Sequence, residues 1–248
     1  MLARVIAGDG ESLTHVASLP EQVARAVGWP SWVATPLVDA LRAGGVDRPW
    51  SHQAQAAELA WSGCHVVLAT GTASGKSLGY QLPVLTSLLT DRRATALYLS
   101  PTKALCADQL RAVSALGLED VRAASFDGDT SYDERDWVRA HARWVFSNPD
   151  MLHRTLLPRH TRWASYLRRL RYVVLDECHS YRGVFGSHVA LLLRRLRRVC
   201  ALYRSYPTFV LASATVAAPS WSAGRLTGLD VAAVTEDGSP RGPRTVAL

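Results

Sequence analysis

Two short segments of this 248-residue chain carry residue types that could do chemistry on phosphate. The first is Thr70-Gly71-Thr72-Ala73-Ser74-Gly75-Lys76-Ser77. It follows a short β-branched apolar run and opens a helical stretch. Consecutive backbone N–H groups and a helix N-terminus then form a cradle for an anion. Lys76 would reach the outer phosphates of a nucleotide, and the Ser77 hydroxyl would take Mg²⁺. The strict phosphate-loop pattern has Gly where Thr70 stands, so the match rests on the Gly-Lys-Ser end and the strand–loop–helix setting. Lys76 and Lys103 are the only lysines in a chain otherwise rich in arginine. A lysine kept in such company points to a need for a compact ammonium that a planar guanidinium cannot replace. The second segment is Asp176-Glu177, at the end of the apolar run 172–175. Asp176 would hold Mg²⁺ through water. Glu177 would orient and deprotonate an attacking water, since phosphoryl transfer depends on positioning and charge neutralisation. Together the two segments predict hydrolysis of ATP with Mg²⁺.

Such groups need a rigid scaffold. Apolar runs at 65–70, 95–99, 121–126, 144–146, 172–175 and 208–212 are separated mostly by helical stretches, such as 76–89. Leu105, Leu110, Val113 and Leu116 share roughly one face of another helix. Strands buried on both sides and alternating with helices predict an α/β fold, a doubly wound parallel sheet flanked by helices. Ligands of such sheets bind at the carboxyl ends of the strands, and both segments fall there. Residues 1–34 show no clear period and are expected to form a small N-terminal extension. A helix is expected from Thr35, as N-cap, with Pro36 at its first position, to about Gly44-Gly45. A second covers about 51–62, and the main domain runs over 35–230. The turn-rich stretch 236–243 makes 231–248 a linker. The apolar run that begins at 245 suggests a piece of something longer.

Composition narrows the partners. The net charge of +7 and pI of about 9.6 favour a polyanion. Arg194, Arg195, Arg197 and Arg198 lie opposite Leu192, Leu196 and Val199, the pattern of a solvated helix face. Trp137, Trp144 and Trp163 are expected in the core. The four cysteines form no C-x-x-C pair, which leaves no zinc or redox motif. With no secretory signal they read as reduced core thiols of a cytoplasmic protein. No apolar run approaches the roughly 20 residues that span a bilayer, so no membrane is expected.

Further phrases complete a pattern. Asp176-Glu177-Cys178-His179 resembles the DExH form of helicase motif II, and Ser213-Ala214-Thr215 resembles motif III. Trp50-Ser51-His52-Gln53 is similar to a Q-type motif. Ser100-Pro101-Thr102-Lys103-Ala104-Leu105 is similar to motif Ia, and Ser147-Asn148-Pro149-Asp150-Met151-Leu152 to motif Ib. In order and spacing, residues 35–230 resemble the first RecA-like domain of superfamily 2 helicases. The loop 70–77, Pro101-Thr102-Lys103-Ala104-Leu105 and Phe126-Asp127-Gly128-Asp129-Thr130 look most like the MrfA/YprA group of bacterial DNA-repair helicases, related to the fungal Hrq helicases.

The resemblance implies ATP and Mg²⁺ as cofactors and 3′-to-5′ movement on single-stranded DNA. It also implies a second RecA-like domain with an arginine finger and a cysteine-rich zinc module, neither of which these residues contain. Gln53 would contact the adenine edge. Thr102, Lys103, Asn148 and Asp150 would touch the nucleic-acid backbone. His179 would hydrogen-bond Ser213 and Thr215, coupling nucleotide state to DNA grip. Plainer readings stand beside these: helix caps for Asn148 and Asp150, a solvated Lys103 at a helix start, a structural His179, a surface Gln53. Two rival functions remain. One is an RNA-directed DEAD-box-type ATPase, against which Cys178-His179 and Lys103 speak. The other is a catalytically silent nucleotide- or DNA-binding module, against which the intact Lys76, Asp176 and Glu177 speak.

Overall fold

Along a strand, alternate residues face opposite sides, and here both sides are apolar. In a computed structural model, which describes residues 16–247, this places two cores on either side of one sheet. Residues 1–15 of the expected extension, and Leu248, lie outside the described residues. The strands are β2 (Val66–Ala69), β3 (Thr95–Leu99), β4 (Ala123–Ser125), β5 (Trp144–Ser147), β6 (Leu170–Leu175), β7 (Thr208–Ser213) and β8 (Ala232–Val234). They pair in the order β4-β5-β3-β6-β7-β2-β8, every neighbour parallel. The predicted doubly wound sheet is therefore present.

Val67, Leu97, Leu99, Val173 and Leu211 point to one side. There they meet Val189, Leu193 and Leu196 of a long helix, Gly183–Leu202, together with Trp163. Val66, Leu68, Tyr98, Val174 and Val210 point to the other side. That side is covered by α1 (Thr35–Ala43), α2 (Ser51–Trp61) and α3 (Ser77–Thr90). The next helix, α4 (Lys103–Ser114), buries Cys106 and Val113. Trp144 and Trp163 fill the core as expected, whereas Trp137 is about half exposed. Among the described residues no helix is long and apolar enough to cross a membrane.

Several expectations change. The N-cap of α1 is Ala34, not Thr35, with Pro36 still in the first turn. Two of the four arginines of the long helix are not simply solvated. Arg194 donates to the Leu226 and Arg225 carbonyls, and Arg197 to those of Thr227 and Gly228. They satisfy the open carbonyls at the C-terminus of helix Pro219–Thr227, where positive charge is favoured. Of the thiols, Cys106 and Cys200 are buried, but Cys64 is exposed.

The chain ends differ most. Part of the expected linker, Ala232–Val234, is an edge strand of the main sheet on β2. Val16–Leu19 (β1) pairs antiparallel with Arg244–Ala247 (β9) in a separate two-stranded ribbon. A bridge between Gln22 and Arg241 continues that pairing. The two ends thus form one strap, and residues 237–241 of it lie beside the loop after β2.

Candidate nucleotide and nucleic-acid site

The loop 70–76 leaves the carboxyl end of β2 and enters α3 at Ser77. Its shape follows from its residues. Thr70 Oγ1 lies 2.6 Å from Ser74 Oγ, so the hydroxyl that replaces the usual glycine closes the loop on itself. Ala73 and Gly75 both take left-handed backbone, φ 60° and 66°, a region costly for a residue with a side chain. Lys76 Nζ donates to the Gly71 carbonyl at 2.8 Å and to that of Thr70 at 3.4 Å. Burial lowers the Lys76 pKa, and the charges of Glu177 and Asp176 work against that fall.

Gln53 and its neighbour His52 hold this loop from α2. Gln53 Oε1 accepts the Trp50 N–H at 2.8 Å, and Nε2 donates to the Gly75 carbonyl at 2.8 Å. Both ends of the amide are engaged within the protein, and the residue is buried. One N–H and one oxygen lone pair of Gln53 remain beyond these two bonds. His52, which sequence reasoning passed over, is fully buried. Its Nε2 lies 2.8 Å from the Ser74 carbonyl and its Nδ1 accepts the Gly238 N–H at 3.1 Å. The proton must therefore sit on Nε2, and the ring joins the loop to the strap. At the same place Arg241 pairs with Asp237, and a Cβ at Gly71 would run into the Arg241 guanidinium.

Burial is the main influence lowering the His52 pKa below 6.5, opposed by the hydrogen bond to Ser74 and the charge of Asp237. Below pH 6.5 the unfolded chain takes up a proton that the buried ring resists. The stability His52 contributes is thus full above that pH and falls as pH drops toward the folded pKa. We expect the urea midpoint to fall between about pH 7.5 and about pH 5.5, and His52→Asn to flatten that decline. His65, also lowered by burial, accounts for part of the remaining slope. An equal decline in wild type and variant would exclude His52 as a cause.

The acidic pair stands at the end of β6, which lies two strands from β2 across β7. Asp176 is buried. Its Oδ1 accepts the Glu177 N–H at 2.9 Å. Its Oδ2 lies 3.0 Å from the Tyr80 hydroxyl and 2.8 Å from the Tyr98 hydroxyl. Burial, and then nearby negative charge, pushes the Tyr80 hydroxyl pKa well up, so it stays protonated. Neither tyrosine was singled out from sequence. Tyr80 could have been, since it lies one turn beyond Ser77 on the same helix face. Glu177 has φ 51°, and its carboxylate lies 3.3 Å from His179 Nε2.

The expected links from His179 to Ser213 and Thr215 are not made. His179 Nδ1 accepts the backbone N–H of Ala214 at 3.1 Å. The Ser213 hydroxyl donates to the Ala214 carbonyl, and Thr215 is exposed. The connection between motifs II and III thus runs through main chain, which any residue at 214 except proline supplies.

At the neighbouring strand ends, Thr102 is a true N-cap: its hydroxyl accepts the Leu105 N–H at 3.3 Å. Lys103 is paired, 2.7 Å from Asp129 of the Asp127-Gly128-Asp129 turn. Asn148 caps the next helical turn by accepting the Met151 N–H at 3.0 Å, and Asp150 is exposed. Cys106 Sγ lies 3.1 Å from the Ser147 carbonyl and ties the two segments together. All four residues lie on the edge that bears the carboxyl ends of β3 and β5, beside the acidic pair.

Known proteins resemble this chain. The chain is 45% identical over 207 residues to the uncharacterised ATP-dependent helicase YprA of Bacillus subtilis, covering 82% of this chain and 28% of that one. It is 39% identical over 220 residues to the ATP-dependent helicase hrq1 of Schizosaccharomyces pombe, covering 86% of this chain and 21% of the relative. It therefore spans less than a third of either relative. A crystal structure of the DUF1998 helicase MrfA bound to DNA and AMPPNP superposes with a TM-score of 0.94 at 39% identity, over 99% of this chain and 35% of that one. The model of the DEAD/DEAH box helicase family matches residues 50–221, more than half of the chain, which belongs to that family.

Proposed function

We propose that this chain is the ATP-binding motor domain of an ATP-dependent DNA helicase of the MrfA and Hrq type. The observation that carries the reading is the convergence of Lys76, Asp176 and Glu177 at one end of the sheet, close enough for both carboxylates to act on the Lys76 charge. Thr70, Gly71, Thr72, Ala73, Ser74 and Gly75 cradle the phosphates with their backbone, and Lys76 neutralises the outer ones. Glu177 accepts the proton of the attacking water. His179 Nε2 lies 3.3 Å from the Glu177 carboxylate and helps to position it.

The residues fit Mg²⁺. Ser77 and Asp176 offer hard oxygen donors. Two such donors suit an ion that keeps several waters and relies on substrate phosphates for the rest of its shell. When bound, Mg²⁺ neutralises charge on the transferred phosphoryl group.

Single-stranded DNA is the proposed partner, crossing the strand ends near Thr102, Lys103, Asn148 and Asp150. In MrfA the matching region comes from a protein bound to DNA, and the net charge of +7 favours a polyanion. Releasing Lys103 from Asp129 would free its ammonium for a phosphate. A second RecA-like domain completes the motor and supplies the arginine, a contribution on the order of 10³-fold or more in related systems. A role in DNA repair follows from the same group. ATP turnover by the 248-residue chain, with and without single-stranded DNA or RNA, tests the reading. Greater stimulation by DNA than by RNA supports it. Stimulation by RNA alone replaces it with the RNA-directed alternative, and loss of Lys76-dependent nucleotide binding removes it.

A further inference from the structure

Beneath Asp176 the hydrogen bonds continue away from the nucleotide. Tyr80 is fully buried, and its hydroxyl touches both Asp176 Oδ2, at 3.0 Å, and Oε1 of the Gln109 side-chain amide on α4, at 2.9 Å. Phenylalanine would fill the same space without burying a hydroxyl, which costs free energy unless the group is paired. The hydroxyl has a single proton, and an ionised carboxylate can only accept. That proton serves only one of two acceptors at a time, Asp176 Oδ2 or Gln109 Oε1, so a change at the carboxylate is felt at the amide.

Gln109 lies six residues along α4 from Lys103, about 9 Å at 1.5 Å per residue. The same helix begins at the Thr102 cap and is tied by Cys106 to Ser147, next to Asn148. A rigid helix thus joins the half-buried amide to both segments assigned to nucleic acid. We propose that Tyr80 and Gln109 are positioning residues that relay the state of Asp176 to α4, and so couple nucleotide occupancy to nucleic-acid affinity. This rests on the function proposed above. A change in the Asp176 carboxylate when nucleotide arrives alters its bond to Tyr80, then the bond of Tyr80 to Gln109, and so the position of α4. By linkage, nucleic acid bound at α4 alters nucleotide affinity by the same factor.

Tyr98 provides the internal contrast. Its hydroxyl meets the same Asp176 oxygen at 2.8 Å from β3, but it makes no hydrogen bond to α4 among the described residues. The experiment measures the Kd of a fluorescent oligothymidylate by anisotropy, with and without AMPPNP-Mg²⁺. The ratio of the two values is the coupling factor. It is read for wild type, Tyr80→Phe, Gln109→Leu, the double variant and Tyr98→Phe, each checked for folding by its melting curve.

The expected result is a wild-type ratio that Tyr80→Phe and Gln109→Leu each move toward one by about 5-fold, near the low end of measured couplings. The double variant should go no further than either single, and Tyr98→Phe should keep the wild-type ratio. Two broken links at opposite ends give independent evidence should one variant fail to fold. Wild-type ratios in both single variants, or an equal loss in Tyr98→Phe, overturn the relay. A wild-type chain that binds both ligands with a ratio of one sinks the relay alone. If Lys76-dependent nucleotide binding or oligothymidylate binding is missing, the relay falls together with the proposed function.

Discussion

Glu177→Gln is expected to lower ATP turnover by about 10²- to 10⁴-fold while leaving ATP-Mg²⁺ binding close to that of wild type. The amide has the shape of the carboxylate but cannot take a proton from water. The local structure gives no reason for collateral damage. His179 accepts the Ala214 N–H on Nδ1, and its Nε2 lies 3.3 Å from Glu177 without the alignment of a hydrogen bond. No hydrogen bond to His179 is therefore lost with the carboxylate. The backbone hydrogen bond from Glu177 N–H to Asp176 is untouched by the change. Steady-state phosphate release together with titration of a fluorescent ATP analogue separates the two effects. Turnover within a few fold of wild type would remove Glu177 from the reaction and leave the proton to another acceptor.

Lys76→Ala should instead act on binding, with a loss of about 10²-fold in ATP-Mg²⁺ affinity, from charge-assisted hydrogen bonds to phosphate. The ammonium is half-buried and partly desolvated already, and two loop carbonyls hold it in place. Its contacts in the loop are main-chain oxygens of Gly71 and Thr70, which water can serve once the side chain is gone. The fold should therefore tolerate the change. Lys76→Arg is the sharper control. A planar guanidinium keeps the charge but cannot occupy the space of a compact ammonium in this tight loop, so affinity should remain low. Isothermal titration of the three proteins decides the matter. Equal affinities would place the phosphates elsewhere.

Much of this was legible in the sequence because the informative signals were local. The strand at Thr95–Leu99 and the loop before Ser77 are set by short apolar runs followed by Gly and Ser, and they lie where they were expected. The strands that escaped notice depend on distant partners. Ala232–Val234 is short and alanine-rich, and only pairing with β2 makes it a strand. Val16–Leu19 exists as a strand through residues at the far end of the chain. The site divides in the same way. Lys76 and Asp176-Glu177 announce themselves by composition. The tyrosine pair under Asp176 does not, because Tyr98 arrives there only when β3 lies beside β6. The bonds of Gln53 and His179 were not legible for a related reason. Each has its expected place, but both bond to main chain: Gln53 to Trp50 and Gly75, and His179 to Ala214 where side chains were expected.

The left-handed backbone at Glu177 bears on any attempt to make this protein more heat-resistant. A residue with a Cβ in that conformation gives up on the order of 1 kcal/mol that glycine would recover. A library ranked by melting temperature would therefore favour glycine at 177, and its best-scoring members would be stable proteins without the carboxylate. Selection for robustness in this domain has to be scored on phosphate release as well as on heat.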